Sequence, residues 1–274
     1  MRATLTFLGT GTSMGVPTLG CSCAVCTSTD PRNRRTRPSI QLAFNHHSVL
    51  IDTGPDFHAQ ALREHLTQVD AVFYTHHHAD HVLGMDDLRP LSFRQPTPIP
   101  LFGDEVTLET LRRIFHYTFP ADDKKARYAT SAKVTLEPLP TRPDGTSAGA
   151  EIPLFGAIFQ RIPLIHGSEI TTGYRFGDAA YLTDMSDIPP ESIPYLQHLD
   201  LLILDALRPN PHPSHSHLAK SIAFVEQLCP KRAFFTHMSH ELDHAATEAI
   251  LPPHIRLAYD GLQLTFNITP EARP

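Results

Sequence analysis

Short apolar runs recur along the chain, and most of them stop at a small group of polar residues. Ala3 to Leu8 alternates with period two, as a half-buried strand does, and breaks at Gly9-Thr10-Gly11-Thr12-Ser13. Ser39 to Phe44 and Ser48 to Asp52 read as two strands of a hairpin around Asn45-His46-His47. A helix is expected from Phe57 to Leu66, entered through Asp52-Thr53-Gly54-Pro55-Asp56. Ala71 to Tyr74, Ile99 to Phe102, Val134 to Leu139, Ala157 to Ile165, Ala179 to Leu182 and Arg232 to Phe235 are further β-prone runs, and Glu105 to Phe115 has helical periodicity. Thr141 to Ala150 is the clearest loop, expected to connect Val134 to Leu139 and Ala157 to Ile162 as a hairpin. Strand-like and helix-like segments alternate without repeat or linker, which predicts one α/β domain over residues 1–274.

What stands at the ends of these runs carries the chemistry. After Ala71 to Tyr74 comes THHHADHVLG, with His76, His78, Asp80 and His81 in the spacing H-x-H-x-D-H. Imidazole suits zinc, iron and manganese, and a carboxylate adds charge and hardness, so such a set with ligands from elsewhere suits a pair of divalent cations. The later runs supply them: Ala157 to Ile165 ends at His166, Ala179 to Leu182 at Thr183-Asp184, and Arg232 to Phe235 at Thr236-His237. A sandwich whose loops meet at one edge accounts for this succession. Asp52, also at a strand end, is placed either to hydrogen-bond a metal-bound histidine or to open the following helix.

Composition narrows the class. The chain has 274 residues, 41% of them hydrophobic, enough for a substantial core, and its net charge of −6 gives no general case for nucleic acid. No stretch approaches the ~20 apolar residues of a membrane span, and the opening apolar run is too short and Gly-interrupted for a signal peptide. A soluble, cytoplasmic protein is expected. Three of the four cysteines, Cys21, Cys23 and Cys26, form a C-x-C-x-x-C run that can fill three corners of a zinc tetrahedron; Cys229 or a late histidine would supply the fourth. Between the two motifs, DPRNRRTRP concentrates charge, and Arg34, Arg35 and Arg37 are either solvated surface or a grip for a substrate phosphate. The Gly9 to Ser13 turn lacks the Gly-Lys-Ser/Thr of a phosphate loop but would pass near the site, with amides free for an anion. Tyr117 to Lys133 is polar and aperiodic, a lid or an exposed insertion.

With His76, His78, Asp80, His81, His166, Asp184 and His237 in that order, the chain resembles the metallo-β-lactamase superfamily over essentially its whole length. The resemblance implies an αββα sandwich, two mixed β-sheets flanked by helices. It also implies a binuclear site: His76, His78 and His166 on one ion, Asp80, His81 and His237 on the other, and Asp184 bridging, with a hydroxide between the ions as nucleophile. Cys21, Cys23, Cys26 and His240 resemble the added structural zinc site of the phosphoribosyl cyclic phosphate phosphodiesterases, and His215 resembles their extra histidine, which would protonate the leaving oxygen. His217 is then a helix-entry residue. The segments Tyr117 to Lys133 and Ala206 to Pro213 depart from that group.

The resemblance thus implies a phosphodiesterase acting on a small, cyclic phosphodiester. Its catalytic set would be Asp80, Asp184 and His215, with two divalent ions (Zn²⁺ or Mn²⁺, Fe²⁺ also compatible) and one structural Zn²⁺. Nucleic acid is disfavoured as a partner, and a homodimer is compatible with the chain. The rival readings are a thiolester hydrolase, a transfer-RNA endonuclease and a metal-binding carrier without turnover.

Overall fold

The computed structural model describes residues 1–119 and 130–270. Strands β1 (Arg2–Gly9), β2 (Ser39–Phe44), β3 (His47–Ile51), β4 (Ala71–Phe73), β5 (Ile99–Gly103) and β6 (Val134–Pro138) build a first sheet. A second follows, from β7 (Glu151–Leu154), β8 (Ala157–His166), β9 (Glu169–Phe176), β10 (Ala179–Leu182), β11 (Leu201–Asp205), β12 (Arg232–Thr236) and β13 (Ile255–Leu257), before β14 (Gln263–Asn267) returns to pair with β1. Each sheet is antiparallel through its first three pairings, β14-β1-β2-β3 and β7-β8-β9-β10, and parallel through its last three. Parallel strands need both faces covered, and the apolar runs of β4, β10 and β11 meet that need because every residue in them is buried.

Between the sheets lies the central core, where Leu5, Phe7, Phe73, Phe159, Tyr174 and Ile203 interdigitate. On the outer face of the first sheet pack α1 (Phe57–Arg63), the single turns α2 (Ala79–Val82) and α3 (Arg89–Ser92), and α4 (Glu105–Ile114). The second sheet is covered by α5 (Leu218–Leu228), through Leu218, Phe224, Val225 and Leu228, while α6 (His244–Glu248) packs beside β13. The result is the helix-sheet-sheet-helix sandwich expected. α4 shows why such a segment becomes a helix: Asp104 accepts the Thr107 amide at 2.8 Å as its N-cap, and Leu108 and Leu111 fall on one buried stripe.

The hairpin at Asn45-His46 is a two-residue turn with φ of 47° and 64°, the doubly left-handed geometry whose twist matches flanking strands. The connection at 141–150 corrects the sequence reading. It is not a hairpin but the crossing between the sheets, because β6 pairs parallel with β5, while β8 finds a nearer antiparallel partner in β7 across Phe155-Gly156. Those two residues take φ of 54° and 76°, so the tighter turn is the hairpin. The stretch Tyr117 to Lys133, read as a lid or insertion, has its central residues, 120–129, outside the described ones. Among the described residues no helix is long and apolar enough to cross a membrane.

Candidate metal centre

β3 and β4 run parallel, as do β10, β11 and β12, and β8 points the same way as β10 because both are antiparallel to β9. Their carboxyl ends carry Asp52, Thr75-His76, Asp184, Asp205, His237 and His166. Three of these, Asp52, Asp184 and His237, have left-handed φ of 65°, 53° and 58°. Non-glycine residues adopt this region at a cost, and here it turns each chain sharply as it leaves the sheet, within the site itself. The loop after β3 is laced to the histidine loop: Thr53 donates to His81 O and Gly84 to Thr53 O, both at 2.8 Å. A Cβ on Gly54 would stand 2.1 Å from Asp80 O, and one on Gly84 2.1 Å from Gly54 O, so only glycine permits this approach.

The imidazoles are aimed by hydrogen bonds on their far sides. Asp52, fully buried, accepts from the Thr75 amide at 2.8 Å, from Thr75 Oγ1 at 2.9 Å and from His81 Nδ1 at 2.7 Å. Since the Thr75 hydroxyl proton goes to Asp52, His76 Nδ1 donates to Thr75 Oγ1, at 3.0 Å. His166 Nδ1 donates to Ser214 O at 2.8 Å. Each ring therefore presents Nε2 to the same space. Asp184 lies between them, with Oδ2 3.1 Å from His81 Nε2 and Oδ1 3.3 Å from His237 Nε2 and 3.9 Å from His76 Nε2. His76, His78 and His166 gather as one set of donor atoms, and Asp80, His81, Asp184 and His237 as another, each within 4.8 Å.

The donor set fits cations. Among the described residues, His76 Nε2, His81 Nε2, His237 Nε2 and Asp80 Oδ2 are buried without a hydrogen-bond partner, and four such orphans in one cluster are too expensive to leave unmatched. The carboxylates favour charge on two of these rings. Burial opposes charge on His237, yet Asp184 and Asp205 push its pKa up to about 9. His81 is also raised well above the ordinary range, against burial, by Asp184, Asp80 and Asp52. Divalent ions would displace these protons.

Asp205 was not singled out from the sequence. Its Oδ2 accepts from His215 Nδ1 at 2.9 Å and from the Met185 amide at 3.2 Å, and its Oδ1 lies 3.7 Å from His237 Nδ1. The signal was present: Leu201 to Leu204 is an apolar run ended by an acid, like the other site strands. His215 stacks on His237, ring centroids 4.8 Å apart at 13°, and Nδ1 being engaged leaves Nε2 as its free nitrogen. His217 stands at the N-cap of α5 without a side-chain cap bond, the helix-entry place expected.

The cysteines form the second cluster. Cys21 and Cys23 Sγ lie 3.3 and 3.4 Å from His240 Nδ1, and with Cys26 the four donor atoms fall within 4.8 Å of one another. The Cys26 amide and the His240 ring hold the Cys23 thiol down at about 6, favouring the thiolate that binds zinc. Cys229 takes no part; it is exposed, in the left-handed cap of α5, and its thiol donates to Glu226 O.

The arginine reading is corrected at Arg35, which is neither solvated surface nor free to grip a substrate. Arg35 is 1% exposed, with its guanidinium spent on protein acceptors, and Arg37 is paired with Asp56 and donates to Ser13 O. Arg34 is exposed. The turn at Gly9 to Ser13 also differs from expectation, because the amides of Thr10, Gly11 and Thr12 are taken by Asp260, Thr36 O and Met238 O.

A beta-lactamase superfamily domain matches residues 47–238, and the chain belongs to that superfamily and has the metallo-β-lactamase fold. Within it the chain stands near the PhnP family. A crystal structure of a diphosphatase from that family superposes with a TM-score of 0.88 at 48% identity, covering 98% of this chain and 99% of its own. Among curated proteins, an octanoyltransferase of Porphyromonas gingivalis is 36% identical over 259 residues, 93% of this chain but 50% of that protein, so the chain spans half of that relative. A ribonuclease Z of Methanococcus maripaludis is 28% identical over 123 residues, 43% of this chain and 34% of its own.

Proposed function

We propose that the chain is a binuclear metal-dependent phosphodiesterase, acting on a small diester or diphosphate. The observation that carries this reading is the Asp205–His215 pair stacked against His237, at the edge of the candidate metal set. A passive metal binder has no use for a second, aspartate-oriented imidazole beside its ligands. The 48% identical relative named as a diphosphatase supports phosphorus as the reacting atom.

His76, His78 and His166 would hold one divalent ion, and Asp80, His81 and His237 the other, with Asp184 between them. When bound, the ions supply charge neutralisation at the phosphoryl oxygens and an acidified water as nucleophile. The remaining work falls to side chains. Asp52 fixes the ring of His81 and Ser214 O that of His166. Asp205 orients His215, which carries its transferable proton on Nε2 toward the departing oxygen. Ions of Zn²⁺, Mn²⁺ or Fe²⁺ are all compatible with a His/Asp donor set, and the cysteine cluster with His240 would hold a structural Zn²⁺.

The test is a metal-reconstituted assay against cyclic and linear phosphodiesters and diphosphate diesters, with an octanoyl thiolester and a transfer-RNA precursor as rival substrates. Turnover of phosphorus esters with neither rival cleaved is expected. Preferential thiolester or RNA cleavage replaces the proposal with that rival.

A further inference from the structure

Arg35, read from the sequence as either solvated surface or a grip for a substrate phosphate, lies instead inside the protein, where its environment is unusual. Among the described residues no carboxylate comes within ion-pair distance of this guanidinium, although burial lowers its pKa to about 10 against the more distant charge of Asp260. A buried charge without a paired counter-charge is costly, and such a cost is retained where geometry requires it.

The geometry here is a clamp. Arg35 Nη1 donates to Ser239 O at 2.8 Å, and Nη2 to Leu242 O at 2.7 Å and to Asn33 Oδ1 at 3.0 Å. Asn33 extends the grip, giving Nδ2 to Asp243 at 2.8 Å and accepting the His244 amide at 2.9 Å. The two carbonyls held by Arg35 flank His240, and Ser239 is two residues past His237. On its other side the same segment is fixed by Met238 N to Thr10 O at 3.0 Å and Ser239 N to Leu207 O at 2.8 Å. The backbone of Arg35 exchanges two 2.8 Å hydrogen bonds with Val16, in the stretch that leads into the cysteine loop. Only a planar fork reaches both carbonyls at once, which a lysine cannot do.

We propose that Arg35 is a positioning residue coupling the two metal sites: by gripping the backbone on both sides of His240, it makes occupancy of the cysteine cluster and the placement of His237 depend on each other. This rests on reading both clusters as metal sites, but not on the identity of the substrate.

Cobalt(II) titration separates the two sites spectroscopically, since thiolate-to-cobalt charge transfer reports only the cysteine cluster, and chelator competition gives the affinity of each. Cys23→Ser is expected to weaken cobalt at the His/Asp site by about tenfold, the usual scale for lost support behind a ligand. In an Arg35→Met background the same change is expected to cost nothing further, and Arg35→Lys to behave as Arg35→Met. If Arg35→Met does not fold, Asn33→Ala, which removes the acceptor orienting the guanidinium, serves the same comparison. Unchanged His/Asp affinity in Cys23→Ser, or an undiminished effect in the Arg35 or Asn33 background, overturns the coupling. Failure of either cluster to take up cobalt overturns the metal reading beneath it.

Discussion

The two clusters bring candidate metal ligands together by opposite means. The His/Asp centre draws on the carboxyl ends of strands in both sheets, and His76, His81, Asp184 and His237 are each at most 2% exposed. Its rings are aimed by hydrogen bonds to Asp52, Thr75 and Ser214 before any ion arrives. The cysteine cluster takes three donors from one irregular stretch, Cys21 to Cys26, with Cys21 and Cys23 half-buried, and borrows its fourth from the loop after β12. A site built on sheet ends is organised by the core; a site built on a loop is organised by its metal. The first is therefore expected to keep its shape when emptied, and the second to lose it.

The largest effect expected is at the residue between the two halves of the centre. Asp184→Asn should lower kcat by ~10³-fold or more while circular dichroism and thermal unfolding stay near wild type, because the sheets hold the loop. Global unfolding instead would mean that the centre is organised by its ions after all. Next comes His215→Ala, with kcat on an alkyl phosphodiester reduced ~10²- to 10⁴-fold and metal content unchanged. Because p-nitrophenolate departs without protonation, the loss on its ester should be much smaller; equal losses would show that His215 binds phosphate rather than donating a proton.

Asp52→Asn probes the aiming of a ligand ring from behind, and affinity for the ions should drop about 10- to 100-fold, measured by chelator competition. Affinity equal to wild type would mean that packing alone holds His81. In the loop-built cluster, Cys23→Ser should cost one metal per chain by plasma emission and lower the unfolding temperature, with kcat at saturating metal little changed. A full complement of metal in that variant would rule out the structural site.

The smallest effect concerns His244, buried beside the Arg35 clamp. Burial first, and then Arg32, lowers its pKa from an ordinary 6.5 to about 4. Its unfolded form binds a proton more readily than its folded form, so this contribution to stability is complete above 6.5 and is lost as pH falls toward 4. His244→Gln should flatten the stability profile across that window, followed by denaturant midpoints at half-unit steps, and an unaltered slope would assign the window to other groups.

Spacing by itself determined the chemistry that needs no partner to be recognised. His76, His78, Asp80 and His81 lie within six residues of chain, so the motif is legible locally, and Cys21 to Cys26 is equally self-declaring. The strand-end positions of His166, Asp184 and His237 were legible because an apolar run that stops at a ligand residue places it at a sheet edge. The tertiary structure alone decided what depended on a distant partner. Arg35 looked like surface or a substrate grip among charged neighbours, but the Ser239 and Leu242 carbonyls that it holds lie 204 and 207 residues away, and no local pattern announces that an arginine will be buried. Asp205 became the partner of His215 only when the loop after β11 folded back over the strand end, and β8 chose β7 over β6 because the sheets divide there. Residue type and periodicity fix what a segment can do next to itself; which surface it meets is set by the packing of the whole chain, where burial and hydrogen-bond partners are assigned together.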